Sequence, residues 1–176
     1  MANVAISGDT SGAVTLTVPS TVGTQTATFP AATGTVMVSG NMPAFSAYAT
    51  SNQATTSGVT TKILFGSKLF DTNNNFASST FTPTVAGYYQ INCQLLKDGS
   101  CTRVGIYIYK NGSVLYQGTD LTASSYIRGT MSALIYMNGT TDYLEIYGYQ
   151  AGGTGFAYTS GNTSDTWFNG CLVRNA

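Results

Sequence analysis

Histidine is missing altogether from the 176 residues. With it go the usual proton shuttle near neutral pH and the commonest metal ligand, so a serine or cysteine nucleophile has no imidazole partner. Charge is scarce as well: 7 Lys+Arg balance 7 Asp+Glu, making 8% of the chain, against about 25% in ordinary soluble proteins. No cationic surface exists to neutralise many phosphates or to hold an anionic bilayer, which argues against nucleic acid and membrane as partners. No run approaches the roughly 18 apolar residues of a membrane helix. The opening MANVAISGDTSGAV is polar and broken by glycine, unlike a secretory leader.

Cysteine is also sparse. Cys93, Cys101 and Cys171 are odd in number and lack metal-site spacing. If Asp98-Gly99 turns a hairpin in LLKDGSC, Leu96 rather than Cys93 lies opposite Cys101, which disfavours a disulfide there. Buried or free thiols, in a chain made in a reducing cytosol, are the expectation.

What the chain has is small polar residues and aromatics. Hydrophobic residues at 43% and aromatics at 12% are those of a folded protein. A neutral surface rich in Ser, Thr, Asn and Gly promotes self-association. Residues 1–41 differ from the rest: the strand-like pieces AVTLTV, TQTATF and TVMV alternate with Gly, Pro and Ser and contain no Tyr or Trp. Such a segment builds little core of its own, so an attachment arm that pairs its edges with other chains is expected, with a flexible tail as the alternative.

Residues 42–176 read as an all-β head domain. Candidate strands span 44–50, 60–66, 79–83, 87–96, 102–110, 113–118, 126–137, 142–150 and 166–174, without a sustained helical period between them. The turn dipeptides Asp98-Gly99, Asn111-Gly112 and Asn138-Gly139 each lie between alternating runs. Many short strands at regular spacing predict an antiparallel sandwich or jelly roll. Asn111, Asn138 and Asn162 match the glycosylation pattern, but turn chemistry accounts for the first two.

Catalytic constellations are not apparent. Asp142 and Glu145 are close in sequence, yet three residues along a strand places them on opposite faces. A glycan-degrading enzyme built from distant carboxylates remains a rival reading. Asp71, Asn73 and Asn75 in FDTNNNF alternate hard oxygens as a calcium site does, and also as a solvated loop does; the loop reading is preferred. No cofactor is expected.

Tyrosine is distributed unusually. Val104, Ile106 and Ile108 oppose Tyr107 and Tyr109, while Leu144 and Ile146 oppose Tyr143, Tyr147 and Tyr149. A two-sheet sandwich needs only one apolar face per strand. Tyrosine is favoured where one end of a side chain is dry and the other wet. Tyr107, Tyr109, Tyr143, Tyr147 and Tyr149 are therefore the candidate oligomer-interface residues.

Phe65-x5-Asp71-x4-Phe76-x4-Phe81-x5-Gly87-x-Tyr89, together with FTPTVAGYYQ, IYKNGSVLYQG, IYMNGTTDYLEIYGYQ and the closing Phe168, Gly170 and Leu172, resembles a known signature. It is that of the globular heads of complement first component q, members of the tumour necrosis factor-like jelly rolls. The interval before Phe81 is shorter than the family's, and Ile91 and Cys93 stand where aromatics are usual. Both changes keep the inward face apolar, and no ligand specificity carries over. The resemblance implies a compact homotrimer, with the tyrosine face as its three-fold interface.

The first segment, ISGDTSGAVTLTVPSTVGTQTATFPAATGTV followed by NMPAFSAYA, is similar to GDTSG-type segments of bacteriophage tail fibres and other virion structural proteins. Together the two resemblances imply a phage structural protein assembled in the host cytoplasm. The leading expectation is a trimeric tail fibre or spike, its arm bound to other virion proteins and its head binding a host surface glycan or protein. A capsid decoration, or cement, protein is the alternative.

Overall fold

The computed structural model describes residues 4–7, 13–16, 38, 40, 42–97, 99, 101–123, 126–152 and 163–176. The chain divides into two units, Met1–Gly34 and Thr35–Ala176. In the first, β1 (Val4–Ser7) and β2 (Ala13–Leu16) form an antiparallel hairpin with Val4 opposite Leu16. The strand-like TQTATF lies outside the described residues, as does most of TVMV.

The second unit is a sandwich of two antiparallel sheets. One sheet runs β10 (Ser113–Ala123), β9 (Cys101–Lys110), β12 (Leu144–Ala151), β7 (Thr80–Phe81) and β6 (Phe76–Ala77), with β4 (Thr61–Lys62) also paired to β12. The other runs β11 (Ile127–Met137), β8 (Gly87–Lys97), β13 (Trp167–Asn175), β3 (Ala44–Tyr48) and β5 (Ser67–Asp71). The all-β reading and the long strands of the second half are as the sequence predicts.

The core follows from alternation. Tyr89, Ile91, Cys93 and Leu95 of β8 face Val104, Ile106 and Ile108 of β9 and Leu144 and Ile146 of β12 across a dry interior. One end is aromatic: Phe45 stacks on Phe81 at 4.3 Å and on Phe76 at 5.0 Å, with Phe168 edge-on at 4.8 Å. Tyr89 meets Phe81 at 5.5 Å and donates its hydroxyl to the Val85 carbonyl at 2.7 Å. The spaced aromatics of the sequence signature are thus one packed cluster. Gly170 belongs to it by close approach, because a Cβ there would lie 2.6 Å from Ile91 Cδ1 and 3.0 Å from the Gln90 carbonyl.

Two of the three expectations about turn dipeptides need correction. Of the turn dipeptides, Asn111-Gly112 alone makes a hairpin, with φ of 53° and 78° joining β9 to β10. Asp98 lies outside the described residues, but β8 and β9 on either side of it belong to different sheets, so LLKDGSC is no hairpin, and Cys101 faces Ala123 of β10. Asn138-Gly139 also crosses between sheets; the Asn138 side-chain oxygen accepts from the amides of Thr140, Thr141 and Asp142, closing the turn locally. The residue pair specifies a tight reversal, whereas the sheet each strand enters is set by burial further along.

The strand expected at 60–66 is regular only at Thr61–Lys62. Beyond it the chain passes between sheets, and side chains replace the ladder: Gln53 Oε1 accepts from the Leu64 amide at 2.9 Å and Ser79 Oγ from the Phe65 amide at 2.8 Å. β5 and β6 were not expected. β5 is an edge strand whose pairing with β3 is bulged between Ser46 and Ala47, which erases its alternation.

Candidate functional site

The five sequence-predicted tyrosines come together on the outer face of β9, β12 and the turn before β12. Tyr107 lies opposite Tyr147, and Tyr109 stacks on Tyr147 with ring centroids 3.9 Å apart and planes 25° apart. Tyr143 reaches back over Gly112, and the Arg103 guanidinium sits 5.1 Å from the Tyr149 ring centroid. All five are half-buried, covered largely by one another and by strand neighbours.

Ion pairs border this strip. Lys62 Nζ lies 2.6 Å from Glu145, which also accepts from Thr80 at 3.0 Å and from the Tyr147 hydroxyl at 3.3 Å. Burial pulls the Glu145 carboxyl up, but these donors and the lysine charge outweigh it and hold it below the usual range. The same contact works in reverse on the phenol: burial and then the Glu145 charge push Tyr147 up. Tyr107 is raised chiefly by burial. Arg103 pairs with Asp120 across β9 and β10 at 2.7 Å on the open surface.

Exposed apolar side chains lie elsewhere, at positions with no periodic excess of tyrosine to mark them. Tyr88, Leu134, Tyr136, Val173 and Phe70, on four strands of the β11–β8–β13–β3–β5 sheet, are 40% to 59% exposed. Tyr88 and Tyr136 face each other across strands with ring centroids 5.5 Å apart. A second apolar surface follows the edge strand β10, where Val114, Leu115, Tyr116 and Leu121 are 38% to 53% exposed. β10 and β11 close the same side of the sandwich, Thr119 Oγ1 donating to the Thr130 carbonyl at 3.0 Å.

The described acids are engaged by cations. Asp71 binds Lys68 at 2.9 Å and accepts from the amides of Asn75 and Phe76. FDTNNNF is thus a turn closed on its own aspartate, and the candidate calcium oxygens of its asparagines already accept hydrogen bonds: Asn73 Oδ1 from Thr72 and Asn75 Oδ1 from the Thr84 amide. Asp142 precedes β12 rather than lying on it. Lys110, Asn111 and the Asn138 amide surround its carboxylate at 2.8, 2.8 and 3.0 Å. Arg128 holds Asp165 at 2.7 Å. Among the described residues no three His, Cys, Asp or Glu side chains gather as a metal site. The cysteines are free thiols, Cys93 and Cys101 buried and Cys171 exposed, and burial pushes the Cys93 thiol up to about 12.

No family model and no curated protein sequence matches the chain. Solved structures do. The globular domain of the zebrafish complement 1qA protein is 19% identical, with a TM-score of 0.57 over 76% of this chain and 99% of that one. Murine APRIL is 11% identical, with a TM-score of 0.60 over 75% and 99%. Eiger TNF from S. frugiperda is 8% identical, with a TM-score of 0.58 over 77% and 93%. The head is a C1q/TNF-like jelly roll. At these identities the likeness concerns architecture, and it accounts for the sequence signature: Phe65, Phe76, Phe81, Tyr89 and Phe168 build one end of the jelly-roll core, while Asp71 ties the turn that delivers Phe76.

Proposed function

We propose that this chain is a homotrimeric structural and binding protein of a bacteriophage particle, a tail fibre or spike. Its N-terminal segment attaches to other virion proteins and its jelly-roll head meets the host surface. The work is binding rather than catalysis. One observation carries the self-association: a chain with 14 charges exposes two clusters of large apolar side chains, Tyr88, Leu134, Tyr136, Val173 and Phe70 on the outer face of the β11–β8–β13–β3–β5 sheet and Val114, Leu115, Tyr116 and Leu121 along β10. A monomer gains nothing from either. Two different patches on one chain make a head-to-tail contact, which closes into a ring when the rotation permits. Trimers are the assembly that the resemblance implies for jelly-roll heads. The phage setting rests on the GDTSG-type N-terminal segment.

In this arrangement the contact uses Tyr88, Leu134 and Tyr136 on the sheet face of one copy and the β10 edge of the next, leaving the strip of Tyr107, Tyr109, Tyr143, Tyr147 and Tyr149 as the alternative contact. Sedimentation of the full chain at micromolar concentration tests the assembly, with a trimer expected and a folded monomer overturning it. Removing residues 1–41 is expected to leave a soluble trimer that no longer joins particles. Particles lacking the protein are expected to lose adsorption while keeping intact heads. Normal adsorption with heat-fragile heads replaces the fibre by a capsid decoration protein, and sugar release by the purified head replaces binding by catalysis.

A further inference from the structure

Across the middle of this sheet's outer face runs a polar row. Ser132, Asn92, Asn169 and Ser46 stand directly opposite one another on β11, β8, β13 and β3. The side chains of the first three are bonded mainly to each other. Ser132 Oγ donates to Asn92 Oδ1 at 2.8 Å, Asn92 Nδ2 donates to Asn169 Oδ1 at 3.1 Å, and Gln90 Nε2 donates to Ser132 Oγ at 2.8 Å from the adjoining row. No charge is part of the row. Beside it, Ser46, Phe70, Asn92, Asn169 and Cys171 line a groove of about 230 Å³.

We infer that this row sets the register and the copy number of the trimer, its partner being a second copy of the same chain. The inference rests on the trimer reading above. Its occupant is argued from charge: the groove and the row are uncharged, and so are Ser113–Thr119 of the chain's own β10 edge, where Val114, Leu115 and Tyr116 stand exposed. A purely apolar contact tolerates sliding and rotation, because dispersion and burial are not directional. An amide row at its centre does not. Any register that places it against a methyl group leaves its remaining donors and acceptors dry and unpaired. A single buried asparagine restricts coiled-coil register and stoichiometry by the same physics.

The test compares full chains by native mass spectrometry and light scattering, with Trp167 emission reporting folding. In Asn92→Leu/Asn169→Leu the face remains sticky but loses its polar match, so the share of non-trimeric oligomers is expected to rise roughly tenfold. A population as uniformly trimeric as the wild type overturns the inference. Should that variant precipitate, Asn92→Asp decides. It sets a carboxylate beside Asn169 Oδ1 in the row and is expected to give a folded monomer, and a persisting trimer overturns the role. A wild-type monomer is seen before any substitution is made and fails the trimer reading itself, taking the row's role with it.

Discussion

Tyr109 and Tyr147 stack face to face at 3.9 Å, on neighbouring strands of the same sheet. The pair shows what five tyrosines on an outer face do within one subunit: they cover one another and the strand backbones beneath. Tyr147→Ser removes the stack and a phenol bonded to Glu145, and is expected to destabilise the head by about 1–2 kcal/mol while leaving the oligomeric state of the wild type unchanged. Tyr88→Ser/Leu134→Ser is expected to do the opposite, giving folded monomers with little change in monomer stability. Sedimentation and thermal melts of the two variants, with Tyr107→Ser beside them, separate the two faces; monomers from Tyr107→Ser and Tyr147→Ser would move the interface to the tyrosine strip.

Thiol accessibility gives an independent reading of the same face. Cys171 is exposed in the single subunit and lines the groove beside the amide row, whereas Cys93 is sealed in the core. An aromatic disulfide reagent is expected to label Cys171 slowly in the wild type, if it assembles as proposed, and at least about tenfold faster in Tyr88→Ser/Leu134→Ser, since reactivity follows access of the thiolate. Equal rates in both remove Cys171 from the contact.

Acid is expected to loosen the head before it affects anything resembling a catalytic group. Burial raises Asp142, but the bonds from Asn111, Lys110 and the Asn138 amide prevail and hold it below its ordinary value; Asp71 and Glu145 are lowered against burial in the same way. A carboxyl whose folded value is depressed adds stability that is fully present above its unfolded value, about 4, and is lost as pH falls through the folded one. Melting temperature is therefore flat from neutral pH to about 5 and falls below 4. Asp142→Ala lowers neutral stability by about 1–3 kcal/mol, by leaving Asn111 and the Asn138 amide without their acceptor, and flattens the acid limb.

Gly170 tests the packing of the aromatic end. Its missing Cβ leaves room for Ile91 and the Phe45 ring, which a methyl group there would meet at 2.6 and 3.0 Å. Gly170→Ala is expected to cost about 1–3 kcal/mol in chemical denaturation without altering oligomeric state, because the methyl group points inward.

Alternation made much of this fold readable. Period-two hydrophobicity in GYYQINCQLL, TRVGIYIYK and LEIYGYQ determines which side chains face inward, and the spaced phenylalanines determine the aromatic end. The head's all-β class was legible for that reason, and its jelly-roll architecture through the family resemblance carried by the spaced aromatics. Local chemistry reached as far as the turns, where asparagine and aspartate close loops with their own side chains, but not as far as the destination of the next strand. Tyr88, Leu134, Tyr136 and Phe70 carry no sequence pattern that marks them as a set; they adjoin because β11, β8, β13, β3 and β5 are neighbours in an order unlike their order in the chain. Likewise Ser132, Asn92, Asn169 and Ser46 are scattered over more than a hundred positions and become one row only when four strands align in register. Side-chain alternation is a property of one strand and is written locally, whereas a surface belongs to a sheet, whose strand order is chosen by the burial of the whole core.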